Sequence, residues 1–193
     1  MITFLKGRLV EKSPTQVVVE CNGVGYLLLI SLNTYTQLPH EDSITIFTHF
    51  QVREDSHTLF GFSTTVERDV FRLLISVSGI GASIALTMLS SMTPTQIIQA
   101  ISREDIASIQ AIKGIGAKTA QRTIIELKDK VIRIDDTGQS GLRIDNTFQD
   151  EALSALEVLG FSRKAAGAAL ESVIKTDPNM KVETLIREAL KRL

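Results

Sequence analysis

A four-residue phrase occurs twice in the chain, as Gly79-Ile80-Gly81-Ala82 and as Gly114-Ile115-Gly116-Ala117, the second copy starting 35 residues after the first. Each copy follows an apolar run of helical period and opens a second one. A Gly-x-Gly turn that enters a helix leaves backbone N–H groups unpaired at the positive end of the helix dipole, with no side chain in the way. Such a turn binds phosphate. Two in tandem imply a ligand with regularly spaced phosphates, which is a nucleic-acid backbone. The candidate contacts are Gly79, Gly81, Ala82 and Ser83 in the first copy, and Gly114, Gly116, Ala117, Lys118, Thr119 and Arg122 in the second. Lys118 in the first helical turn and Arg122 one turn later put cations beside the second site. The first copy has Ser83 in the place of Lys118 and no cation nearby, which predicts weaker binding through N–H groups and the Ser83 hydroxyl.

The plainer reading is that the glycines only cap turns between packed helices. Against it stand the same four residues, the same setting and the same following alanine (Ala85, Ala120) in both copies. Neither copy is a dinucleotide fingerprint, because no strand precedes it, and neither is a P-loop, because Gly-Lys-Ser/Thr is missing. An apolar helix, a Gly-hydrophobic-Gly turn and a second helix resemble the helix-hairpin-helix motif. That resemblance implies contact with a DNA backbone independent of base sequence, since phosphate contacts position a protein without reading bases.

Arg53-Glu54-Asp55-Ser56, between two strand-like runs, is the second notable group. It reads as a solvated acidic hairpin tip, or as a carboxylate pair that repels phosphates and so discriminates between DNA shapes. A metal-dependent nuclease site would need further converging carboxylates, and none sits at a suitable spacing. His40, His49 and His57 show no metal-ligand spacing. Cys21, the one cysteine, reads as a small core residue and excludes an intrachain disulfide. No catalytic residue, metal or cofactor is expected.

The elements that must position these groups follow from periodicity. Strand-like runs at 2–10, 16–20, 25–30, 43–50 and 58–62 are β-branched or aromatic and bounded by turn residues, among them Pro14, Asn22-Gly23 and Pro39-His40-Glu41-Asp42. Five short strands in this span suggest a Greek-key barrel of the OB-fold type. Helical period takes over at 66–77, 82–88, 93–102, 103–111 and 118–131, with Thr93-Pro94 as an N-cap and first helical residue. Residues 132–147 lose both periods and read as a flexible linker. Beyond it, 152–159 ends at Gly160, Ser162 caps 163–174, Asp177-Pro178 breaks the chain and 182–193 closes it. The fold class is therefore α+β and multidomain: an OB-fold barrel over 1–63, an all-α domain with tandem helix-hairpin-helix motifs over 64–131, the linker, and a small three-helix module over 148–193.

The totals set limits on this reading. The chain of 193 residues is 44% hydrophobic and has a net charge of −1. A strongly basic pI is the usual mark of a DNA binder, and it is missing here. Residues 63–130 do carry a small positive excess, eight basic against six acidic side chains. Affinity would have to come from N–H groups, helix dipoles and multiple copies. No signal-peptide pattern and no membrane-length apolar run occurs, so a soluble cytoplasmic protein with no membrane partner is expected.

The phrases Met1-Ile2-x-x-Leu5-x-Gly7, Gly23-Val24-Gly25-Tyr26, Thr48-His49-Phe50-x-Val52-Arg53-Glu54-Asp55 and Leu59-x-Gly61-Phe62 resemble the RuvA family of bacterial Holliday-junction proteins. So do the tandem hairpins, Glu126-Leu127-Lys128-Asp129, Ala155-Leu156-x-x-Leu159-Gly160-Phe161 and Leu185-Ile186-Arg187-Glu188-Ala189-Leu190. The resemblance spans nearly the whole chain in order. It implies a non-catalytic homotetramer, one or two per junction, that holds four-way junction DNA open and nearly square-planar. It makes Glu54 and Asp55 an acidic pin at the crossover. It implies the RuvB ATPase as motor and partner in branch migration during recombination and repair, and the RuvC resolvase as a further partner. The C-terminal module would meet RuvB, with Leu156, Leu159, Phe161 and Leu170 as candidate contacts, some of which must also form the module's own core. Two rival readings remain at this point: a helix-hairpin-helix nuclease or glycosylase, and a protein-binding adaptor that never touches DNA.

Overall fold

The computed structural model describes residues 1–39, 43–138, 148–174 and 180–193. The chain forms two compact units, Met1–Gln139 and Ser140–Leu193. His40 and the Asp177-Pro178 break lie outside the described residues.

The first unit opens with β1 (Phe4–Lys12), β2 (Gln16–Cys21) and β3 (Val24–Ile30), then α1 (Leu32–Gln37), β4 (Ser43–Val52) and β5 (His57–Phe62). The strands close a barrel in the order β1-β2-β3-β5-β4, with β3 and β5 parallel and the other neighbours antiparallel. Period-two alternation turns Leu5, Val17, Val19, Leu28, Ile30, Ile44 and Ile46 into the barrel core. Asn22 and Gly23 join β2 to β3 with φ of 52° and 87°, the left-handed pair that a tight hairpin turn demands. Cys21 is only partly buried against this core, with its Sγ 3.4 Å from the Lys6 carbonyl.

Helix α1 has no counterpart in the sequence periodicity. Its residues Asn33, Thr34, Tyr35 and Thr36 are poor helix formers, and it forms because Ser31 caps it, accepting from the Thr34 N–H at 3.0 Å. The same corner holds a fully buried carboxylate. Glu67 accepts from the hydroxyls of Ser31 at 2.6 Å and Thr34 at 2.7 Å, and from the Ser63 N–H at 3.1 Å.

The helices that follow are α2 (Thr65–Ile75), α3 (Ala82–Ser91), α4 (Pro94–Ser102), α5 (Ile106–Gln110) and α6 (Ala117–Gly138). Thr64 caps α2, and Thr93 with Gln96 forms a capping box ahead of Pro94 on α4. Helix α5 is shorter than its apolar period suggests. Glu104 takes a left-handed φ of 56° and Asp105 starts the helix as its N-cap, accepting from the Ser108 N–H at 3.1 Å. Beside the barrel's own core, the last strand and these helices build a second one. Phe60 and Phe62 of β5 pack on Phe71 of α2 with ring centroids 5.1 and 4.9 Å apart, and the cluster continues through Leu74, Met88, Ile97 and Leu127. Helix α6 runs seven residues into the stretch read as linker from 132 onward. Nothing between Val131 and Thr137 is Gly or Pro, so propagation, which adds one hydrogen bond per residue, carries the helix past Val131. The rest of that linker, 139–147, lies outside the described residues.

The second unit consists of α7 (Phe148–Val158), α8 (Arg163–Ile174) and α9 (Val182–Leu190). Gly160, at φ 98°, ends α7 in a Schellman turn: its N–H donates to Glu157 O at 3.0 Å and the Phe161 N–H to Leu156 O at 3.1 Å. Ser162 then caps α8 through the Ala165 N–H. Ala152, Leu156, Ala166, Leu170, Val173, Leu185 and Ala189 make the core, where alanines let the short helices approach closely. No helix among the described residues is long and apolar enough to cross a membrane.

Candidate nucleic-acid interface

The two Gly-x-Gly turns have the same construction. In the first, the Ile80 N–H donates to Val77 O at 3.0 Å, with Gly79 at φ 97° inside the turn. In the second, the Ile115 N–H donates to Ile112 O at 3.1 Å, with Gly114 at φ 93°. Positive φ at the third turn position explains why both are glycine. Ile80 and Ile115 are buried and anchor the turns in the shared core. Gly81 and Gly116 stand at the helix entries. Each has its carbonyl in the first helical bond, from Ala85 at 3.0 Å and from Ala120 at 2.9 Å. Neither brings a capping side chain, and a Cβ placed on either would meet nothing within 4 Å. Both helix entries are thus bare of side-chain bulk, which is a requirement for close approach of a phosphate to the first N–H groups of α3 and α6.

What the sequence did not disclose is how the two copies sit together. A Cβ on Gly79 would lie 3.5 Å from Oγ1 of Thr119, and a Cβ on Gly114 would lie 3.9 Å from Cγ1 of Ile84. Thr119 and Ile84 occupy equivalent places, five residues past the first glycine of each copy. Each turn is therefore seated on the first turn of the other copy's second helix, an internal twofold relation that sets the two helix entries side by side. Thr119 is half-buried in this contact, whereas Gly81, Ser83, Gly116, Ala117, Lys118 and Arg122 are exposed and Ala82 is buried.

The cations are distributed differently from the sequence expectation. Arg122 projects from the second copy onto the first: its Nη1 donates to the Ser78 carbonyl at 3.2 Å, across 44 residues of sequence, and its Nε lies 4.0 Å from Glu126. The first turn does have a cation, supplied by the other copy. Lys113, absent from the sequence-derived candidates, is exposed at the place in the second turn that Ser78 holds in the first. The 35-residue offset was the signal that could have found it.

Glu54 and Asp55 lie at the exposed tip of the β4–β5 hairpin, closed by the Arg53 N–H donating to Ser56 O at 2.8 Å. No ion pair reaches either carboxylate among the described residues. His49, in β4, packs on Phe71 at 5.4 Å. Burial holds its pKa below the ordinary imidazole value, and Arg72 and Arg68 add to the effect. No group of three or more His, Cys, Asp or Glu side chains placed to hold a metal occurs among the described residues.

In the second unit, the candidate partner contacts separate. Leu156 and Leu170 are fully buried in the module's own core, which removes them from any docking surface. Phe161 is partly buried against that core. Leu159 is 58% exposed, and its neighbour Val158, which the sequence did not single out, is 88% exposed.

A closed OB-type barrel whose last strand packs into the core of paired helix-hairpin-helix motifs, followed by a separate helical module, defines a class of DNA-binding architecture. Residues 1–61 match the family model described as RuvA N terminal domain, 71–129 the SAM-like helix-hairpin-helix tandem, and 147–193 the RuvA C-terminal domain. The chain is 58% identical over 193 residues to the Holliday junction branch migration complex subunit RuvA of Flavobacterium psychrophilum, covering all of both chains. It is 53% identical to the protein of the same name from Christiangramia forsetii, again over the full length of both. The counterpart from Bacteroides thetaiotaomicron is 39% identical over 201 residues, with full coverage of both. The chain belongs to the RuvA family.

Proposed function

We propose that this protein binds four-way junction DNA through its backbone, independent of base sequence, as the non-catalytic subunit of a branch-migration complex. The observation that carries the reading is the pair of helix entries, at Gly81 and Gly116, bare of side chains and held side by side on a core that includes the last barrel strand. Each offers N–H groups and a dipole end to a phosphate. The chain assembles as a homotetramer that holds the junction open and square-planar. Glu54 and Asp55, both exposed, repel duplex DNA from the crossover and guide separating strands apart. The C-terminal module docks the RuvB ATPase through Val158, Leu159 and the edge of Phe161, and RuvC joins the assembly in the cytoplasm.

Gel-shift titration of a synthetic four-way junction against linear duplex of equal length tests the reading. Tighter binding to the junction supports it, with Lys118→Ala weakening both and reducing the salt slope by about 0.9 for each phosphate no longer neutralised. Equal affinity for the two DNAs, or an unchanged slope in the variant, refutes it. Solution mass with and without junction DNA tests the tetramer.

A further inference from the structure

The two hairpins have the same backbone yet draw their positive charge from different places. The second turn carries Lys113 within it and Lys118 at its helix entry. The first has Ser78 and Ser83 in those positions, both neutral. A phosphate site built only from N–H groups on a chain of net charge −1 would be the weaker of the pair. Arg122 changes that balance. It stands on α6, one turn beyond Lys118, but its guanidinium lies against the first turn, with Nη1 donating at 3.2 Å to the carbonyl of Ser78, the residue just before Gly79. Its side chain is 51% exposed, and the bond to Ser78 uses one of the five N–H donors of a guanidinium. The pairing with Glu126, 4.0 Å away and itself 40% exposed, is too long and too wet to neutralise it. The twofold-related residue, Thr87, does nothing comparable: its hydroxyl donates to Ser83 O of its own helix at 3.0 Å. The brace exists in one direction only, toward the hairpin that lacks a cation.

We propose that Arg122 belongs functionally to the first hairpin, as a shared cation that positions the Ser78–Gly79 turn and completes its phosphate site from the second copy. The inference rests on the phosphate-binding reading above. It departs from what the sequence implied, which was that Arg122 reinforces Lys118. One N–H fixes the turn and the remaining donors meet the phosphate that the α3 entry holds. A charge at that position acts well within a Debye length of about 10 Å.

A cycle on the full-length chain tests the assignment. Ser83→Asp blocks the first site by repulsion and Lys118→Asp blocks the second; both place an acid in a helix's first turn, where it does not disfavour the helix. Junction affinity is measured by fluorescence anisotropy, with thermal melts run in parallel. Arg122→Ala is expected to weaken binding about tenfold alone and about tenfold in the Lys118→Asp background, but less than about twofold in the Ser83→Asp background. The reverse pattern would return Arg122 to the second hairpin and overturn the proposal. Equal losses in both backgrounds, accompanied by a lower melting temperature, would reduce Arg122 to a structural strut and overturn it as well. If Ser83→Asp and Lys118→Asp each leave binding unchanged, the phosphate sites themselves fall, and the proposal with them.

Discussion

The four hairpin glycines divide into two kinds, and alanine substitution should separate fold from binding. Gly114 has φ 93°, and a Cβ there meets nothing closer than Ile84 Cγ1 at 3.9 Å, so the cost of Gly114→Ala is conformational and not steric. A left-handed L-residue costs roughly 1–2 kcal/mol, and loss of unfolded-chain freedom returns about 0.4–1 kcal/mol. The net is about 1 kcal/mol of destabilisation, which lowers the melting temperature of a unit this size by roughly 3–5 °C. Gly116 has ordinary φ and open space around its Cβ position. Gly116→Ala should keep the melting temperature within about 2 °C of the parent, since the same entropic gain offsets the poorer N-cap. Its methyl nevertheless stands where a phosphate must approach the α6 entry, and loss of one charge-assisted hydrogen bond weakens junction binding about tenfold. The assay pairs circular-dichroism melts with junction titration at fixed salt. Parent-like affinity in Gly116→Ala would refute the claim that glycine is there for backbone approach. Parent-like stability in Gly114→Ala would refute the argument from positive φ.

Other perturbations probe the scaffold and the pin. Glu67→Ala removes the shared acceptor of the buried Ser31 and Thr34 hydroxyls and of the half-buried Ser63 N–H and should cost about 3 kcal/mol, read by urea denaturation; Glu67→Gln, which keeps one acceptor oxygen, should cost about half, and a loss under about 1 kcal/mol for alanine would dismiss the buried carboxylate as a strut. His49 is held neutral by burial, with Arg72 and Arg68 adding and Asp69 also paired to both arginines. The folded state thus binds fewer protons than the unfolded one, so stability is complete above the ordinary imidazole value of about 6.5 and falls as pH drops below it. His49→Gln should flatten the change in melting temperature between about pH 7.5 and 5.5; an unchanged dependence would assign the titration elsewhere. Glu54→Lys with Asp55→Lys should preserve or strengthen total DNA binding while narrowing the preference for junction over duplex. Loss of binding to both DNAs would show the tip to be structural.

Much of the architecture was legible because its causes are local. Period-two runs located the five strands, Asn22-Gly23 located their tightest turn, and Thr93-Pro94, Gly160 and Ser162 located helix ends, each through chemistry that acts within four or five residues. The duplicated Gly-Ile-Gly-Ala was legible in the same way: positive φ at Gly79 and Gly114 and bare helix entries at Gly81 and Gly116 are properties of short segments. Helix α1 and the short α5 escape such patterns because a single cap, Ser31 or Asp105, outweighs the propensity and period of the residues after it.

The rest was decided by contacts between residues far apart in the chain, which no local pattern records. Leu156 and Leu159 carry the same side chain three residues apart, yet one is core and one is surface, because only packing against α8 and α9 assigns a face. Glu67 reads as a charged residue in a first helical turn and is instead buried under α1, more than 30 residues away in sequence. Arg122 reads as a neighbour of Lys118 and instead touches Ser78. The sequence by itself determined that two Gly-x-Gly turns of the helix-hairpin-helix kind exist and what their backbones must be. Only the tertiary structure decided that they face each other and share a cation, because seating one turn on the other copy's helix depends on burying Ile80 and Ile115 in a common core.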